Sequence, residues 1–184
     1  MVAALLSPRL PREDERVTTS LLLIADTHVP ARARRLPTDV LDAVASAEVV
    51  VHAGDWVDAV TLDLLESRAR VLYGVYGNND GPELRARLPE VARFTVEDLS
   101  VAVVHETGAA KRREERMDDA FPGTDLLVFG HSHIPWDTVS PGGMRLLNPG
   151  SPTDRRRQPR CTMMLVTVDG RDVEVELVTV DRER

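Results

Sequence analysis

The sequence predicts a layered α/β domain built on two sheets, and three observations point there. Hydrophobic residues make up 42% of the 184 residues but aromatics only 4%. The core must therefore be filled by Val, Leu and Ala, which suits stacked α and β layers better than an aromatic-rich sandwich. In the first half of the chain, continuous apolar runs alternate with segments of helical period, the pattern of βαβ units whose parallel strands are buried on both faces. In the second half strands predominate, and the length suits one domain better than two.

Residues 1–19 are rich in Pro, Arg and Glu and are expected as a flexible N-terminal tail ahead of a single domain over 20–184. The runs LLLIA (21–25), VVVHA (49–53) and VLYGVY (71–76) read as buried parallel strands. Thr38 precedes DVLDAVASA, where Val40, Leu41 and Val44 share a face, so a helix is expected with Thr38 as its N-cap. Asp58 to Ser67 has similar spacing, and Gly81-Pro82 opens a short helix with proline at its first position. Later strands are expected at 100–104, 125–130, 136–139, 144–147, 161–168 and 172–179. The last two form a hairpin about Asp169-Gly170. The charged segment KRREERMDDAF (111–121) is expected as a surface helix.

Bulk properties exclude several functions. Net charge is −7, from 30 acids and 23 bases, so no general basic footprint for nucleic acid is present. No apolar run approaches a membrane span. VAALL near the N-terminus is too short and wrongly flanked for a secretory core. Cys161 is the one cysteine, so no intramolecular disulfide forms, and a reducing, cytoplasmic setting is expected.

The chemistry lies where the apolar runs end. The first ends in Asp26-Thr27-His28, the second in Gly54-Asp55-Trp56-Val57-Asp58, the third in Gly77-Asn78-Asn79-Asp80. VAVV is followed by His105, and DLLVF by Gly130-His131-Ser132-His133. The C-terminal edge of such a sheet is where ligands bind. Alternation along a strand would point Asp26 and His28 to one common place. Imidazoles and carboxylates without thiolates suit Mn, Fe, Zn or Ni. Seven such groups are too many for one ion and about right for two, with a shared carboxylate between ions about 3.5–4 Å apart. Each motif alone reads as easily as a cap or a turn; the ordered set reads as a metal site. His52 reads as a core histidine.

In this order the motifs resemble those of the calcineurin-like metallophosphoesterases. The short length, the GNND form and Asn148-Pro149-Gly150-Ser151 are similar to the small YfcE-like branch, over about residues 20 to 180. The resemblance implies a four-layer αββα sandwich, two mixed β-sheets flanked by helices. It implies that Asp26, His28 and His133 hold one divalent ion, that Asn78, His105 and His131 hold another, and that Asp55 bridges them. Manganese is the first expectation, with iron, nickel or zinc as alternatives. The implied reaction is hydrolysis of a small phosphate ester, most readily a diester, by a metal-bridging hydroxide. Asn78, Asn79, Asp80 and His131 are the residues expected to act on substrate. Asp80 would orient groups or shuttle protons, and Asp58 would support the site or cap a helix.

Two departures bear on this. Asn79 stands where larger phosphatases carry a histidine that assists the leaving group, and an amide is no general acid. That favours diesters. His105-Glu106-Thr107 stands where relatives have His-Gly-His, and Glu106 is expected to face solvent. Arg32, Arg34 and Arg35, and Arg155 to Arg157, read as solvated clusters more readily than phosphate holders. Trp56 reads equally as a nucleobase platform or a core edge. The rival readings are a protein-binding scaffold of the same fold, a phosphomonoesterase and a nuclease. Pairing of copies through the C-terminal hairpin edge is a further expectation.

Overall fold

In the computed structural model, which describes residues 18–181, the run from Leu21 to Ile24 is buried on both faces, as a strand between layers must be. It forms β1 (Thr19–Ile24), followed by α1 (Thr38–Ser46), β2 (Val49–His52), α2 (Ala59–Glu66), β3 (Leu72–Gly74) and α3 (Pro82–Arg87). The chain continues through β4 (Val91–Val96), β5 (Leu99–Val104), α4 (Arg113–Ala120), β6 (Leu126–Phe129), β7 (Trp136–Val139) and β8 (Arg145–Asn148). It closes with β9 (Cys161–Asp169) and β10 (Asp172–Val180).

These strands form two five-stranded sheets, ordered β10-β9-β1-β2-β3 and β4-β5-β6-β8-β7. Both are mixed. In the first, β1, β2 and β3 run parallel while β9 and β10 run antiparallel. In the second, β5, β6 and β8 run parallel between antiparallel β4 and β7.

The period of two sorts the residues into layers. Leu21 and Leu23 face the second sheet, where they share a core with Val101, Val103 and Val128. Leu22 and Ile24 face the other way, onto Val40 and Val44 of α1 and Leu62 and Leu65 of α2. Leu127 and Phe129 of β6 pack outward against Met117 of α4. The Tyr73 ring of β3 stacks on Phe94 of β4 at 3.7 Å, joining the sheets at one edge. The layers are thus helix, sheet, sheet, helix, as expected. Among the described residues no helix is long and apolar enough to cross a membrane.

Several local expectations are corrected. Thr19 belongs to β1, so the strand begins inside the expected tail; residues 1–17 of that tail lie outside the described residues. Thr38 is the first helical residue of α1. The cap position is Pro37, and no side chain caps there. The third strand covers only Leu72–Gly74. β4 was not expected. Its outward residues Arg93 and Thr95 interrupt the apolar pattern, while Ala92 and Phe94 pack on the inner core. Its pairing with β5 turns about Glu97, which takes φ 48°.

Asp58 is a helix cap. Its Oδ1 accepts from the Thr61 N–H at 2.9 Å and the Thr61 hydroxyl at 2.8 Å. Asp58→Ala should therefore cost about 1 kcal/mol of stability, read from the urea midpoint. Mn²⁺ affinity should stay at the native value; a drop in it would show Asp58 supporting the metal centre after all.

Candidate metal centre

The parallel strands β1 and β2 end side by side, and the chain beyond them stays linked. The Asp26 N–H donates to the Gly54 carbonyl at 2.9 Å, and the His28 N–H to the Asp55 carbonyl at 3.0 Å. Neither Asp26 nor His28 lies on the strand. Both take left-handed backbone angles, φ 55° and 46°, as do Asp55 (61°), His131 (68°) and His133 (58°). The side chains converge because each loop kinks just past its strand. Strand alternation, the reason the sequence offered for Asp26 and His28, is not the cause. Asp and His are among the residue types that tolerate this region, and such strain concentrates at functional sites.

The loops bring all seven expected donors together in two adjoining sets, five of them through this left-handed backbone and Asn78 and His105 without it. In the first, His133 Nε2 lies 3.3 Å from Asp26 Oδ1 and 3.2 Å from His28 Nε2. In the second, Asn78 Oδ1 lies 3.0 Å from His105 Nε2 and 2.9 Å from His131 Nδ1. Asp55 touches both: Oδ2 is 3.5 Å from His28 Nε2 and Oδ1 is 3.5 Å from His105 Nε2.

The donor set fits a cation on its own chemistry. His133 Nδ1 donates to the Asp154 carbonyl at 2.5 Å, and His105 Nδ1 to the Ala53 carbonyl at 2.7 Å. With those protons placed on Nδ1, each Nε2 turns a lone pair inward. His105 Nε2 then faces the oxygens of Asn78 and Asp55, acceptor against acceptor. Asp26 Oδ2 is buried without a hydrogen-bond partner. Such a convergence of acceptors calls for positive charge, a proton or a metal ion.

The electrostatics agree. Burial resists charge on His105, but the hydrogen bond and charge of Asp55, with the field of Asp26, outweigh it and hold the pKa above its ordinary value. Burial also works against the Asp55 carboxylate. Its contacts with His105 and Asn79 prevail and keep it well below the usual carboxylate range. Burial lowers His28, with Asp55 and Asp26 opposing. Asp55 is thus ionised at any physiological pH.

Around the donors stands a second ring of contacts. The Asp80 carboxylate accepts from three backbone amides, Asp55 (3.1 Å), Gly77 (2.7 Å) and Val57 (2.7 Å). That ties the second motif to the third, a structural task for Asp80. Asn79 donates to Asp55 from its backbone at 2.8 Å and from its amide at 2.6 Å. Three supports were missed from sequence. Ser151 Oγ donates to the Asp26 carbonyl at 2.7 Å, Thr153 Oγ1 to the Thr27 carbonyl at 2.6 Å, and Asn148 Nδ2 to the Gly130 carbonyl at 2.7 Å. Asn148-Pro149-Gly150-Ser151 enters the sequence reading as part of the family resemblance, but nothing in it shows which atoms these side chains hold.

The remaining candidates sort clearly. His52 is buried, stacked on Trp56 at 3.5 Å and hydrogen-bonded to Thr27, as expected of a core histidine. Trp56 is fully buried with its N–H on the Val75 carbonyl at 2.8 Å, so it offers no face to a nucleobase. Arg34 and Arg35 are exposed. The Arg32 side chain approaches the Asp154 carboxylate at 3.9 Å, and its backbone N–H donates to the His28 carbonyl at 2.8 Å. Arg156 Nη1 lies 3.3 Å from the His131 carbonyl.

Comparison with known proteins shows the family. The chain is 34% identical over 163 residues to a probable metallophosphoesterase of Methanothermobacter thermautotrophicus, covering 85% of this chain and 90% of that protein. The solution NMR structure of a Thermotoga maritima protein, 35% identical, aligns with a TM-score of 0.71 over 88% of this chain and 99% of that one. Zinc-complexed Vps29 of Entamoeba histolytica aligns with a TM-score of 0.67 at 25% identity, over 88% of this chain and 99% of Vps29. Residues 20–171 match the sequence profile of the calcineurin-like phosphoesterase superfamily domain, and the chain belongs to that superfamily.

Proposed function

We propose that the chain hydrolyses phosphodiesters at a dinuclear metal centre. Asp26, His28 and His133 hold one divalent ion, Asn78, His105 and His131 the other, and Asp55 is shared. The observation that carries this reading is the placement of Asp55, one ionised carboxylate with an oxygen turned toward each donor set. Divalent ions bound there supply an acidified water and positive charge at the phosphoryl oxygens. A thiolate-free set of imidazoles, carboxylates and one amide suits manganese, iron, nickel or zinc, and we take manganese first. The zinc of the Entamoeba Vps29 complex is in keeping with that range.

The residues divide the remaining work. Asn79 holds Asp55 at both oxygens and so fixes the shared ligand. It has no proton to give a leaving group near neutral pH, which favours diesters and activated esters over alkyl monoesters. The acidic balance of the chain speaks against nucleic acid and supports a small ester as substrate. A reducing interior such as the cytoplasm suits the lone, buried Cys161.

The reading makes two demands. With Mn²⁺, bis-p-nitrophenyl phosphate should turn over faster than the monoester, and both rates should vanish on chelation or in Asp55→Asn. Preference for the monoester would remove the argument from Asn79. No turnover with Mn²⁺, Fe²⁺, Ni²⁺ or Zn²⁺ would shift the reading to a scaffold.

The second demand concerns Gly77, where an added Cβ would stand 2.2 Å from Asp55 Oδ1. Gly77→Ala must displace the shared carboxylate. By calorimetry it should weaken Mn²⁺ binding on the order of tenfold to a hundredfold. The circular dichroism spectrum should stay native. Unaltered Mn²⁺ affinity would show that Asp55 is not a shared ligand.

A further inference from the structure

Glu106 follows the donor His105, and its carboxylate does not simply face water. Oε1 lies 3.8 Å from His131 Nε2, with about half of the Glu106 side chain exposed. The other ring nitrogen of His131, Nδ1, is the one 2.9 Å from Asn78 Oδ1. The imidazole therefore stands between the donor cluster and Glu106, with the donors inside and the carboxylate at the rim. Among the described residues Glu106 forms no ion pair with an arginine or lysine. Its charge stands at the open edge of the donor cluster.

We propose that Glu106 is a specificity residue, a charge filter that favours singly charged phosphodiesters over doubly charged phosphomonoesters. The proposal rests on the phosphoesterase reading and adds a discrimination that Asn79 does not supply. Asn79 bears on the leaving group, whereas Glu106 acts on the net charge of the whole ligand. Coulomb repulsion scales with that charge, so it bears twice as hard on a dianion as on a monoanion. Arg156 pulls the other way from the main-chain side of His131. Removing Glu106 alone tips this balance toward the dianion. A glycine at this position leaves the rim without the carboxylate.

The test compares the native chain with Glu106→Gln and Glu106→Gly, loaded with Mn²⁺, at about pH 8, where the monoester is a dianion. The readout is the ratio of kcat/KM for p-nitrophenyl phosphate to that for bis-p-nitrophenyl phosphate. The ratio should rise on the order of tenfold in both variants. With added KCl the gap between the native ratio and the variant ratios should narrow, because salt screens the repulsion from Glu106. An unchanged ratio in both variants overturns the proposal. If neither ester turns over, the phosphoesterase reading fails, and the filter is read by calorimetry of inorganic phosphate and dimethyl phosphate binding to the Mn²⁺-loaded proteins. Phosphate binding that tightens more than dimethyl phosphate binding in Glu106→Gln supports the filter; equal changes overturn it. Circular dichroism of the three proteins checks that they share one fold.

Discussion

A carboxylate without solvent governs this structure. Asp55 is fully buried and ionised, and an uncompensated buried charge costs several kcal/mol. Its compensation comes from separate loops. Asn79 follows β3, His105 follows β5 and His28 follows β1, while Asp80 grips the Asp55 backbone N–H from behind. No single loop could supply these partners. Parallel strands can, because they deliver successive loops to the same edge. Two sheets facing each other double the supply. The topology of the fold and the charge of Asp55 are in this sense one constraint.

The loops that meet this constraint are strained. Five donor residues hold left-handed backbone angles, at about 1 kcal/mol or more apiece. Together that approaches the roughly 5–15 kcal/mol of net stability usual for a domain. Free loops would relax. These cannot, because each begins at a strand whose last residues are buried: Leu23 and Ile24, Val51 and His52, Val128 and Phe129. The Ser151 and Thr153 hydroxyls add a brace across the first loop. Core packing and the site are therefore coupled, and weakening the inner core should loosen the donors before it unfolds the chain.

How far the sequence reveals this depends on the kind of signal. LLLIA and VVVHA are legible because a strand buried on both faces needs an unbroken apolar run. β4 is not, because an edge strand needs apolar residues on one face only, and Arg93 and Thr95 mask the alternation. The donors are legible because their residue types are rare at strand ends and recur in order. Their geometry is not. The alternation argument brings Asp26 and His28 together for a reason the left-handed angles replace. Ser151, Thr153 and Asp154 act through hydroxyls and a carbonyl on partners more than a hundred residues away in the chain, or about twenty in the case of His133. Nothing local marks such contacts. Asp58 and Asp80 show the reverse case, acidic residues beside donors whose carboxylates serve local structure, Asp58 on the Thr61 N–H and hydroxyl and Asp80 on three backbone amides.

Fold alone does not separate an enzyme from a scaffold, since one architecture hosts both kinds of function. The donor cluster does bear on it. Lone pairs face one another, Asp26 Oδ2 lacks a partner, and the surrounding backbone is strained. Each of these lowers stability, and none helps the two sheets pack. In a protein used only for its outer surface, apolar or hydrogen-bonded substitutes at Asp26, His28 or His105 would relieve the strain and firm the fold. An arrangement that gathers all seven donors, with Asn79 and Asp80 held against Asp55, suits a site that takes up positive charge. His131 and Glu106 leave one side of it half open to solvent, as a centre that receives a ligand must be.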